Sequence, residues 1–280
     1  MRWMSPARLD VAIFTTAILA TSSSVVGAAS ACHREPTEEA HVVRARDGRT
    51  IELADGRAVR LTGIELPSSS AARERARDTL NVLTAGRAIA LSGLSDTPDR
   101  YGRQTAVAFA AGRGDGATIQ ALMLAGGAAL ATGAARDAGC TAELLAAEAR
   151  ARAAHRGLWA GNVIKNAESP GDILAGIGQF GLVEGKVRSV RQAGAVTYVN
   201  FGPRWTRDFA VTIPRRALPS FEQAGLPLKS LANRRIRVRG WVQKRGGPRI
   251  EASGPGQIEL LEGTTAATSS RTATDQAPTP

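Results

Sequence analysis

Histidine, cysteine and aromatic residues are scarce in this 280-residue chain, which has three His, two Cys and an aromatic fraction of 4%. His33, His41 and His155 lie far apart, and Cys32 and Cys140 form no CxxC pair. Zinc and haem sites need closely spaced ligands, so neither group is expected. A core poor in rings must rest on Ala, Val, Leu and Ile, which the apolar fraction of 43% supplies. The apolar run Val11–Ala20 is broken by Thr15 and Thr16. It falls short of the roughly 20 apolar residues that span a bilayer as a helix. Carboxylates are the scarcer charge: 25 Asp and Glu against 36 Lys and Arg give a net charge of +11 and a pI near 11.0. Such a balance favours anionic partners. A general compositional bias toward Arg and Ala would spread the charge evenly. Instead residues 181–262 carry fifteen Lys and Arg against six Asp and Glu.

At the N-terminus, Arg2 and Arg8 precede the apolar run, and a small-residue stretch ends in Ala29-Ser30-Ala31-Cys32. This is the layout of a secretory signal peptide over residues 1–31. The protein is therefore expected to be exported: periplasmic, envelope-anchored or secreted. Ala29-x-Ala31 suits ordinary cleavage, while Cys32 just after it also suits a lipoprotein site. Cys32 then has two fates. It carries a lipid anchor and leaves Cys140 unpaired, or it bridges Cys140 in an oxidising compartment.

Residues 32–40 read as a polar linker and 41–162 as a first domain. Residues 163–180 are a connector, 181–262 a second domain, and 263–280 a disordered tail of Thr, Ala, Ser and Pro. In the first domain, Val42–Arg46, Thr50–Leu53 and Ala58–Leu61 have strand character. Asp47-Gly48 and Asp55-Gly56 supply the tight turns between them. A helix is expected between the Ser68–Ser70 cap and Gly86, strands at Ala88–Leu91 and Thr105–Phe109, and helices at Ala117–Ala125 and Thr141–His155. The second domain has strand patterns at Leu182–Val190, Val196–Phe201, Asp208–Ile213, Ile236–Gln243 and Ile250–Ala252. A short helix precedes the fourth, an order similar to an OB-type barrel. The fold class is α+β, mainly β.

Four motifs occur together in the first domain. They are Asp47-Gly48-Arg49-Thr50, Arg60-Leu61-Thr62-Gly63-Ile64-Glu65-Leu66-Pro67, Asp99-Arg100-Tyr101-Gly102-Arg103, and Ala147-Glu148-x-x-Ala151-Arg152 leading to Gly157-Leu158-Trp159. The combination resembles the staphylococcal nuclease (thermonuclease) family over residues 42–159. The resemblance implies a five-stranded OB-like barrel with flanking helices, and an ancestral activity on DNA and RNA phosphodiesters, commonly with calcium. It maps the phosphate clamp onto Arg60 and Arg103. It maps the metal ligands onto Arg49, where the family has an acid, and onto Glu65, a vestigial ligand. Leu66 stands where the family has Thr, and Ser68 stands where it has the general-base Glu.

Calcium takes six to eight oxygens, and carboxylates bear much of the charge. A guanidinium at a ligand position repels the ion, and a serine hydroxyl is no base near neutral pH. Loss of general-base help alone costs on the order of 10²–10⁴ in rate. No cofactor is expected, or calcium if the chain is an active nuclease with a nonstandard site. Arg49 is read either as a solvated turn residue or as a fixed cation in the metal's place, which would join Arg60 and Arg103 in binding phosphate. Arg60 has an alternative in pairing with Glu65 or Asp47, and Arg103 in pairing with Asp99.

In the run Arg234–Arg245, residues two apart share a strand face. That sets Arg235, Arg237, Arg239 and Trp241 on one side, as charge and a ring for a single-stranded polyanion. A sheet edge protected by charge is the plainer reading. The leading function is binding of nucleic acid or another polyanion with weak or no hydrolysis. The alternatives are an active phosphodiesterase and a non-enzymatic envelope interaction protein.

Overall fold

Tight turns and short strands with alternating burial build the first unit. The structure, a computed structural model, describes residues 1, 30–33, 37–110, 116–135 and 137–261. Most of the signal-like segment and all of the Thr/Ala/Ser/Pro tail lie outside the described residues. Strands β1 (Thr37–Asp47), β2 (Thr50–Leu53) and β3 (Ala58–Leu61) form a meander, followed by the short β4 (Ile64–Glu65). Helix α1 (Ser70–Thr84) leads into β5 (Ala88–Ser92) and β6 (Arg103–Ala110). Helix α2 (Ile119–Ala125), β7 (Leu130–Ala131) and α3 (Ala138–Ala153) complete the unit. The barrel closes in the order β1-β2-β3-β6-β5, with β3 and β6 parallel.

The helices start where side chains satisfy free backbone N–H groups. The hydroxyls of Ser69 and Thr118 and the carboxylate of Asp137 accept from Ala72, Ala121 and Cys140 respectively. Helix α1 buries Ala72, Ala76 and Leu80 and leaves its Arg-rich side in solvent. Ile51, Val59, Leu61, Ile89 and Leu91 fill the barrel with aliphatic carbon. β1 reaches back into the stretch read as a linker, where Thr37–His41 pair with β5. Glu38 there is matched to Arg57, so a polar sequence can sit in the sheet.

The second unit runs through β8 (Ile164–Asn166), α4 (Pro170–Leu174), β9 (Phe180–Lys186), β10 (Ser189–Ala193), β11 (Val196–Asn200) and β12 (Ala210–Pro214). Helix α5 (Leu218–Gln223), β13 (Arg235–Arg245), β14 (Gly247–Glu251) and β15 (Ile258–Leu261) follow. β8 and α4 arise from the expected connector. The sheet order is β10-β11-β12-β14-β13-β9-β8, with β15 on β13. β9 and β10 are two halves of one bent strand, broken at Val187-Arg188: Val187 N–H donates to Arg234 O and Arg188 N–H to Asn200 O. The first half pairs with β13 and the second with β11, so the sheet folds back on itself. β12 and β14 are parallel, as β3 and β6 are in the first barrel. The two units share one topology.

Trp159 lies in a cluster with Leu130 and Ala151 of the first unit and Phe180 and Leu182 of the second. It joins the barrels as well as closing the end of α3. Cys32 and Cys140 form a disulfide with Cα atoms 4.4 Å apart. Among the described residues, no helix is long and apolar enough to cross a membrane.

Candidate functional site

The β1–β2 turn, β3 and the start of β6 lie side by side, because Thr50 pairs with Arg60 and Arg60 with Thr105. This ladder gathers Arg49, Arg60 and Arg103. Gly63 takes φ +80 in the turn after β3, a backbone conformation that favours glycine. The turn brings Glu65 back beneath the arginines. Glu65 is 4% exposed. Its Oε2 accepts from Arg49 Nη1 in a close ion pair and from Arg60 Nη2 at 3.5 Å, while Oε1 accepts from Leu66 N–H at 3.1 Å.

Asp99-Arg-Tyr-Gly-Arg103 is a self-contained turn. Asp99 Oδ1 accepts the N–H groups of Tyr101 and Arg103 at 2.9 and 3.0 Å. Its Oδ2 accepts Arg103 Nε and Nη2 at 3.0 and 2.7 Å. The Arg103 hydrogen bond holds the Asp99 carboxyl at about 2. Tyr101, 64% exposed, lies under the guanidiniums of Arg100 and Arg103 at 4.8 and 4.9 Å. Both pairings weighed from the sequence therefore form, Arg60 with Glu65 and Arg103 with Asp99.

Arg60 is the least compensated of the three. Burial, and next the neighbouring Arg49, push its pKa below the ordinary arginine value; Glu65 opposes this and Arg103 adds to it. Its guanidinium opens onto a cleft of about 490 Å³ between the barrels, across from Trp241 and Gln243. Trp241 is 46% exposed and meets Phe180 edge-on at 6.0 Å.

Arg49 is not free to grip a polyanion as expected, because its guanidinium is committed to the buried Glu65. The donor set does not fit calcium. Glu65 is already held by two guanidiniums, and no group of three His, Cys, Asp or Glu that could hold a metal occurs among the described residues. Ser68 is exposed, and Arg73 donates to its backbone carbonyl at 3.0 Å. Glu74 is exposed on α1, 3.6 Å from Arg77.

The β13 row is corrected more sharply. Arg235 and Trp241 are exposed, but Arg237 and Arg239 are 8% and 1% exposed. Arg239 Nη1 donates to Ala131 O at 2.8 Å and to Glu148 Oε2 at 2.7 Å, across the seam between barrels. Arg237 pairs with Glu184 and Glu259, and Arg152 with Glu259. Three arginines and three glutamates thus close a charge-balanced seam, and the middle of this strand face, at Arg237 and Arg239, is covered. Even spacing on one strand gives a shared face but not what covers it.

Residues 58–161 match the family model described as Staphylococcal nuclease homologue. No curated protein sequence matches the chain.

Proposed function

We propose that this chain, whose residues 58–161 form a domain of the staphylococcal nuclease homologue family, binds nucleic acid or another phosphate-rich polyanion and hydrolyses it weakly or not at all. The observation that carries the reading is the exchange of roles around Glu65. Arg49 neutralises that carboxylate where the resemblance calls for a cation, while Arg60 stays under-compensated and open to the interdomain cleft. An anion entering the cleft relieves the repulsion among Arg49, Arg60 and Arg103. Charge-assisted hydrogen bonds from guanidinium to phosphate oxygen are short and directional. Catalysis lacks two parts. Ser68 supplies no carboxylate to activate water, and the carboxylate that would hold a cation is already paired.

Export is part of the same proposal. The leader-like pattern at residues 1–31 supports it, and so does the Cys32–Cys140 disulfide, since such bonds persist in oxidising compartments. A sulfur engaged in that bond carries no lipid, so we favour a soluble exported protein over a lipid-anchored one. Labelling with radioactive palmitate is expected to leave Cys32 unmarked.

Incubation of the protein with single- and double-stranded DNA, in calcium, in manganese and in chelator, tests the enzymatic half. Binding without cutting is expected in all three. Chelator-sensitive turnover lost in Arg103→Ala would instead establish an active nuclease. For binding, Arg60→Ala is expected to weaken capture of labelled DNA about tenfold at low salt, as loss of one charge-assisted contact implies. Unchanged affinity would remove Arg60 from the site.

A further inference from the structure

The outer face of β10, β11, β12 and β14 carries a groove of about 530 Å³ lined by Arg188, Arg191, Arg249, Tyr198, Asn200 and Trp205. No Asp or Glu lines it. None of its three arginines makes an ion pair among the described residues, in contrast to the paired arginines of the seam. Arg249 lies over the Tyr198 ring at 5.3 Å, and its Nε is buried without a hydrogen-bond partner. Trp205 stands on the loop between β11 and β12 at 68% exposure. In a chain with four Trp and two Tyr, this sheet face sets an exposed indole and a phenol beside guanidiniums that no carboxylate pairs.

We infer that this groove binds single-stranded nucleic acid, with the arginines on successive phosphates and Trp205 and Tyr198 stacked on unpaired bases. Duplex DNA keeps its base faces covered, and an anionic glycan has no planar base to stack, so the rings select the single strand. The groove lies on the second barrel, shares no lining residue with the cleft of Arg60, and does not depend on the reading of the first.

The test uses the full chain in chelator, with fluorescein-labelled dT12, a duplex of equal length and heparin as probes in fluorescence anisotropy. Trp205→Ala is expected to weaken dT12 binding about tenfold or more while leaving heparin affinity unchanged. Arg188→Ala with Arg191→Ala is expected to lower dT12 affinity and flatten its log-log salt dependence by about 1.4, at ~0.7 per phosphate contact on a single strand. Both positions are exposed, so folding is preserved. Unaltered dT12 affinity in both variants overturns the inference, as does a Trp205→Ala effect equal for dT12 and heparin. Loss of dT12 binding only in Arg60→Ala with Arg103→Ala would assign the strand to the first barrel, overturning this site while leaving the proposed function standing.

Discussion

Arg49 shows how one side chain changes what a carboxylate can do. Glu65 is buried, and a buried charge needs a partner. Here the partner is a guanidinium from the β1–β2 turn rather than a divalent ion. Replacing that guanidinium by a carboxylate should reverse the preference. Arg49→Asp is expected to be less stable than the unmodified protein in chelator and to gain several degrees in Tm on adding millimolar calcium, a gain the unmodified protein is expected to lack. Differential scanning fluorimetry reads both. Asp99 offers a second check. Its carboxyl titrates at about 2 in the folded chain against an ordinary 3.8. The Asp99–Arg103 contribution is therefore complete above about pH 4 and is lost as pH falls toward 2. NMR titration should find Asp99 at that low value and find it raised in Arg103→Ala, where only the backbone donors of residues 101 and 103 still hold it down. The pairings of Arg60 with Glu65 and Arg103 with Asp99 were legible because their motifs are local. The bond from Arg49 to Glu65 was not, because the sequence left both a solvated turn residue and a fixed cation open.

Among the elements, β13 separates what periodicity can and cannot show. Alternation correctly sets Arg235, Arg237, Arg239 and Trp241 on one side of a strand. It does not show that α3 and β7 cover the middle of that side. Arg239 pairs with Glu148, 91 residues away, and nothing in either neighbourhood advertises the other. The burial makes the pair sensitive. Arg239→Ala leaves the buried Glu148 with the longer contact to Arg152, 3.6 Å away, a loss of up to about 3–5 kcal/mol, measurable by urea denaturation. Replacing Arg239 and Glu148 together with apolar residues is expected to cost less than the single change. The seam also brings backbone against backbone. Gly133 has φ +69, and a Cβ there would lie 2.1 Å from Gly256 O. Gly133→Ala must therefore push the barrels apart, and faster proteolysis in the connector would report it. The bent strand of β9 and β10 was read as one continuous strand, since the corner at Val187-Arg188 carries no Gly or Pro.

At the scale of the whole molecule, the disulfide ties residue 32 to the start of α3 across a separation of 108 residues. A bridge closing a loop of that size mainly restricts the unfolded chain. Cys32→Ser with Cys140→Ser is expected to cost about 2–5 kcal/mol, seen as a Tm below that of the oxidised unmodified protein and no shift on adding reductant to the variant. Most strands were legible from turn chemistry and alternation, which act over a few residues; the first barrel's OB-like shape was implied by the family resemblance and the second's by the order of its elements. The docking of one barrel on the other was not, because its contacts join residues about a hundred positions apart. That docking has an experimental consequence. The central pair between the barrels, Arg239 and Glu148, is buried and self-cancelling, so mobile ions reach it poorly. Raising potassium chloride should strip a bound polymer from the surface while the two halves stay fastened. The slope of such a titration then counts phosphate contacts alone, uncontaminated by the protein coming apart.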